Sequence, residues 1–260
     1  MNNKLTRLFA EKPNHLLNIF FTAGYPNLDD TTTILKSLEY AGVDLVEIGI
    51  PFSDPLADGP TIQESSKQAL ENGMTIARLF NQLTKYKNQN PNSELPILLM
   101  GYFNPIMQYG VEKFLIECKS VGVDGVIIPD LPLQVYESGY KDLFIKYDVS
   151  NVFLVTPQTS NKRIREIDAL STAFIYAVSS ASTTGSKTNF GDSSDYLARL
   201  RDLNLISPVL TGFNIKTKSD FTTACKYVNG AIIGSEFIRQ ITDVADLEDA
   251  VTEFVSSIKY

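Results

Sequence analysis

One histidine, His15, and two cysteines, Cys118 and Cys225, are all the chain has of two residue types that commonly bind metals or carry out nucleophilic chemistry. A Ser-His-Asp triad, a Cys-His pair or a histidine-rich metal centre needs a histidine beside its partners. His15 instead stands in a polar stretch ahead of the first apolar run, where a surface residue is expected. The cysteines lie far apart in segments that read as helices, without metal-ligand spacing, so no metal site is expected and a reduced, cytoplasmic setting fits them. Basic residues are in deficit: 23 Lys and Arg against 30 Asp and Glu leave a net charge of -7. Nucleic acid is not an expected partner, because neutralising phosphates takes clustered cations. Long apolar runs are missing as well. The opening M-N-N-K-L-T-R-L-F-A-E-K lacks the core of a signal peptide, nothing later approaches a membrane span, and no basic amphipathic stretch suggests a membrane surface. No P-loop or G-x-G-x-x-G follows a strand, and no lysine stands at a strand end to form a Schiff base.

What is present is a regular alternation. With 43% hydrophobic residues in 260, the chain can bury a sizeable core. After an amphipathic helix over Lys4 to Glu11, short apolar strands are expected near Leu17–Thr22, Asp44–Ile50, Ile97–Met100, Asp124–Ile128, Asn151–Val155, Ala173–Val178, Pro208–Leu210 and Gly230–Ile233. Helical periodicity fills the gaps: a helix capped by Asp29 or Asp30 and running to Tyr40, then helices near Thr61–Glu71, Ile76–Gln89, Val111–Ser120, Gln134–Tyr147, Asn161–Leu170, Asp195–Leu203, Lys218–Tyr227 and Leu247–Ile258, with G-Y-F-N-P after the third strand read as loop. Eight strands alternating with helices predict an α/β fold, a single (β/α)8 TIM barrel over residues 1–260 with extra N-terminal and loop helices. A doubly wound open sheet is the alternative, but its phosphate turn belongs early, whereas the glycine turns of this chain come late.

The densest chemistry lies in E-I-G-I-P-F-S-D-P-L-A-D-G-P, Glu47 to Pro60. Glu47 falls inside a strand expected to be buried on both faces, where a carboxylate is costly unless hydrogen-bonded or working. Asp58 lies in the proline-rich loop beyond the same strand end. Two carboxylates in separated environments suggest an acid/base pair; an ion-paired Glu47 beside a solvated loop is the alternative. In barrels, the loops after the seventh and eighth strands often hold a phosphate. Gly234 and Ser235 open a short helical piece there, with T-G-F-N before it and Gly185 in the preceding loop. Phe20, Met100, Tyr102, Ile127, Leu154 and Tyr176 approach the same face and suit a flat apolar ring. The residues alone therefore predict proton transfer on a phosphorylated, partly apolar substrate.

The run E-I-G-I-P-F-S-D-P-L-A-D-G-P-T-I-Q closely resembles the signature of the tryptophan synthase alpha chain family. F-T-A-G-Y-P, V-G-V-D-G-V-I-I-P-D-L-P and the late G-S turn resemble it too, in the same order along essentially the whole chain. The resemblance implies a lyase that cleaves indole-3-glycerol phosphate into indole and glyceraldehyde 3-phosphate by a retro-aldol route, with no cofactor. It makes Glu47 the general acid/base, and Asp58 the carboxylate that accepts the indole N–H hydrogen bond. It adds Phe213 and Ile232 to the indole pocket, and assigns Gly185, Asn214, Gly234 and Ser235 to the phosphate and Thr184 to a lid over the aspartate. It also implies an α2β2 assembly with a beta chain that carries pyridoxal phosphate, contacted through Pro51, Asp54, Asn104 and Pro132. A stand-alone lyase and a weakly catalytic regulatory subunit are the alternatives. Two positions depart from the family pattern: Asn214 and Ser182 each stand where a glycine is usual.

Overall fold

The computed structural model describes residues 3–178, 191–212 and 215–260, with the backbone alone at 191–193. Eight parallel strands close into a barrel in chain order: β1 (Leu16–Thr22), β2 (Leu45–Gly49), β3 (Ile97–Met100), β4 (Gly125–Ile127), β5 (Ser150–Val155), β6 (Ile175–Ala177), β7 (Val209–Thr211) and β8 (Gly230–Ile233). Leu16 pairs with Gly230 and Ile19 with Ile233, so the first strand seals against the last and no open edge is left. The open-sheet alternative is excluded by this closure.

The helices form the outer ring. They are α1 (Lys4–Glu11), α2 (Asp30–Tyr40), α3 (Pro60–Glu71), α4 (Ile76–Gln89), α5 (Phe103–Tyr109), α6 (Val111–Val121), α7 (Leu133–Val135), α8 (Lys141–Tyr147), α9 (Asn161–Leu170), α10 (Gly191–Asp202), α11 (Lys218–Ala224), α12 (Ser235–Gln240) and α13 (Leu247–Lys259). Thr75 and Ser160 cap α4 and α9 by accepting the backbone N–H of Arg78 and Arg163, which fixes where each helix starts. Among the described residues no helix is long and apolar enough to cross a membrane.

Three elements differ from those expected. Phe103–Tyr109, expected as loop, is a helix: Pro105 sits in its first turn, where a missing N–H costs nothing. The single helix expected over Gln134 to Tyr147 is divided, with a π-helical turn at Tyr136–Tyr140 between α7 and α8. Finally, α10 begins at Gly191, four residues before the expected start at Asp195.

The floor of the barrel, at the N-terminal ends of the strands, is tied by polar contacts. Asn3 donates to the Asp124 backbone carbonyl (2.9 Å) and to Ser150 Oγ (3.2 Å), and the Lys4 and Ile97 N–H groups donate to the two Asp124 carboxylate oxygens (both 3.1 Å). Asp44 accepts from Leu17 N–H at 2.8 Å and pairs with Lys12 at 2.6 Å. These bonds hold α1 across the floor and leave the opposite mouth to the loops that follow the strands.

Candidate active site

Side chains alternate in and out along a strand, so on β1 Asn18, Phe20 and Thr22 share one face. Register puts Phe20 opposite Glu47, and Glu47 opposite Leu98 of β3. Glu47 is fully buried. Its Oε1 accepts from Asn18 Nδ2 at 2.5 Å, while Oε2 has no partner among the described residues. Burial pushes the Glu47 carboxyl up to about 8, and the Asn18 bond acts in the opposite sense without prevailing. At neutral pH this group therefore holds a proton that it can release and recover.

Asp58 is half-buried and fixed from two sides. Its N–H donates to the Pro55 carbonyl at 3.0 Å, and the Tyr102 hydroxyl donates to its Oδ2 at 3.2 Å while accepting from Ala57 N–H at 3.0 Å. The tyrosine thus pins the proline-rich loop to the β3 end. Burial raises the Asp58 carboxyl and the Tyr102 bond opposes it. The two carboxylates were expected in contrasting environments; they differ in degree of desolvation rather than in sign, Glu47 being the more deeply buried. Burial likewise raises the Tyr102 hydroxyl, to about 12, with the Asp58 charge adding to it.

Tyr176, on β6, connects the pair. Its hydroxyl is lifted well above the ordinary tyrosine value by burial and then by the charges of both Glu47 and Asp58, so both carboxyls border the space around it. Two glycines shape that space. A Cβ on Gly49 would fall 2.6 Å from the Phe20 ring, and one on Gly212 would fall on the Tyr176 hydroxyl. Only glycine lets these two rings lie against the backbone. Ile127 and Ile232 are buried beside them, and Met100 and Leu154 are partly exposed. Apolar side chains beside a protonated glutamic acid and an anchored aspartate can seat an apolar group, deliver a proton to it and accept a hydrogen bond from it.

Gly234 caps α12 and Ser235 is its first residue; both are half-buried at the β8 end, at the mouth. Asp54, Asn104 and Pro132 are exposed on loops or helix starts of this same end, whereas Pro51 is buried against the chain itself. Ser182, Thr184, Gly185, Phe213 and Asn214 lie outside the described residues. Among the described residues no three His, Cys, Asp or Glu side chains gather in a metal-binding group. One residue of the site escaped the sequence reading: Asn18. The available signal was a single amide in the apolar run L-L-N-I-F-F, in phase with Phe20.

The family model described as "Tryptophan synthase alpha chain" matches residues 6–259. The tryptophan synthase alpha chain of Flavobacterium psychrophilum is 53% identical over 249 residues, covering 95% of this chain and 96% of its own length. That of Flavobacterium johnsoniae is 52% identical over 258 residues, covering 99% and 100%. Among solved structures, tryptophan synthase subunit alpha from Legionella pneumophila superposes with a TM-score of 0.89 at 28% identity, covering 99% of this chain and 97% of that one.

Proposed function

Because the chain belongs to the tryptophan synthase alpha chain family, we propose that it cleaves indole-3-glycerol phosphate to indole and glyceraldehyde 3-phosphate, with Glu47 and Asp58 as its catalytic residues. The observation that carries the assignment is the Glu47 carboxyl, buried, raised to about 8 and bonded, among the described residues, through one oxygen. Glu47 delivers its proton to the indole carbon that bears the glycerol chain, giving a ring cation whose N–H donates to the Asp58 carboxylate. The Glu47 carboxylate then takes the proton of the adjacent glycerol hydroxyl. The O–H electrons form the aldehyde C=O, the carbon–carbon bond breaks, and its electrons restore the aromatic ring. Glu47 ends protonated, as it began, so no cofactor is consumed. An acid with a value near the working pH suits both halves of the cycle.

In this reading Phe20, Met100, Tyr102, Ile127, Leu154, Tyr176, Phe213 and Ile232 enclose the indole. Gly185, Asn214, Gly234 and Ser235 meet the phosphate, and Thr184 closes over Asp58. The chain acts as one domain in the cytoplasm and joins a beta chain, which holds the pyridoxal phosphate, in an α2β2 assembly. The exposure of Asp54, Asn104 and Pro132 at the mouth supports their place in that contact; Pro51 contributes by holding the loop's path.

The test is indole release by the purified chain, by Glu47→Gln and by Asp58→Asn, each with and without a beta chain. Loss of about a thousandfold in Glu47→Gln and about a hundredfold in Asp58→Asn is expected, the range that positioned acid/base groups supply. Fast turnover indifferent to the beta chain would mark a stand-alone lyase. No turnover with beta-chain activation intact would mark a regulatory subunit.

A further inference from the structure

The hydrogen bond between β1 and β2 inside the barrel points to a role for a residue outside the assignments above. Asn18 is fully buried, and its register neighbours, Leu45 on β2 and Ile232 on β8, are apolar. A leucine would suit such surroundings, and an amide buried there is costly unless paired. Its one recorded partner is Glu47 Oε1, at 2.5 Å. Asn18 Oδ1 and Glu47 Oε2 both lack partners among the described residues.

Resting on the function proposed above, we infer that Asn18 is a positioning residue: its amide holds one oxygen of the Glu47 carboxyl and so fixes the other toward the reacting carbon. The side chain suits a group that changes protonation during turnover. Its Nδ2 donates to the carboxylate, and the same amide turned over presents an acceptor to the carboxylic acid. The bond also favours the charged form, moderating the effect of burial. The titratable groups that share this space with Glu47 are Asp58 from the β2–α3 loop and Tyr176 from β6; its register neighbours Phe20 and Leu98 do not titrate.

The experiment compares the parent with Asn18→Leu, Asn18→Asp and Asn18→Ser, measuring kcat and KM across pH together with a carbon-13 NMR titration of the Glu47 carboxyl without substrate. Asn18→Leu is expected to lower kcat about tenfold or more with KM within about twofold, the worth of one hydrogen bond to a charged group. The Glu47 titration should move up by about one pH unit. Asn18→Asp, of the same shape, should move it further up because like charges repel, and Asn18→Ser, which keeps a donor, should recover part of kcat. Coincident titration curves, or a change in KM alone, would overturn the inference. So would failure of all three variants to fold, which would make Asn18 a packing residue. The NMR titration needs no turnover, so an inactive parent would sink the proposed function while the Asn18–Glu47 coupling was still read directly.

Discussion

Glu47 at the mouth and Asp124 at the floor are both carboxylates buried in the same barrel, and they are treated in opposite ways. Asp124 receives the Lys4 and Ile97 amides on its two oxygens, with the Lys4 ammonium 3.4 Å away. Glu47 receives one amide, and its second oxygen has no partner among the described residues. Burial dominates in both, raising each carboxyl. At the floor, however, the desolvated group ties α1, β3 and β4 together, whereas at the mouth it is the carboxyl proposed above to move a proton. The two ends of the barrel thus spend the same cost on different things: one on holding the chain, the other on the group proposed to react.

The contrast can be tested by removing each group. Glu47 carries a folded-state value of about 8 against 4.5 unfolded. Between those values the folded state binds the extra proton, so stability falls as pH rises through that window. Glu47→Gln abolishes the effect. At pH 9 the variant is expected to be more stable than the parent, on the order of 4 kcal/mol, with the difference vanishing near pH 4.5. Urea denaturation at the two pH values measures it, and a constant difference would remove the distinction between the two ends. Asp124→Ala should do the reverse, destabilising by about 3 kcal/mol at pH 7 because two backbone N–H groups and Lys4 lose their acceptor, while kcat of the folded enzyme stays unchanged. Smallest is Tyr102→Phe, which frees Asp58 from its anchor without emptying the pocket. A fall in kcat of about fivefold, from one lost hydrogen bond of about 1 kcal/mol, is expected in the indole assay.

The legible part of the molecule was the part with local signals. Ile76–Gln89 and Asn161–Leu170 have side-chain caps and helical spacing, and Ile97–Met100 and Gly230–Ile233 are bounded apolar runs; all four have the expected limits. Glu47 was legible because a charge inside a buried strand is conspicuous on its own. The Tyr102–Asp58 and Asn18–Glu47 bonds were not, since each joins residues 44 or 29 positions apart that only the tertiary fold brings together. The cap of α2 misled for a local reason: Asp30 accepts from Asn27 just ahead of it, and Asp29 makes no capping bond. The π-helical turn at Tyr136–Tyr140 follows tertiary packing, with Tyr136 set edge-on between Phe144 and Phe153, for which the local sequence carries no pattern.

The pairing of β1 with β8 has a consequence for how the chain is made. Leu16 to Ile19 leave the ribosome about two hundred residues ahead of the strand that covers them. At roughly 5–20 residues per second this strand edge waits on the order of ten to forty seconds for its partner during synthesis. Asn3 and Lys4 wait too, until Asp124 and Ser150 emerge. Until Gly230 arrives, the edge of β1 that faces β8 in the finished barrel has no strand to pair with in the native register, the kind of exposed edge that favours association.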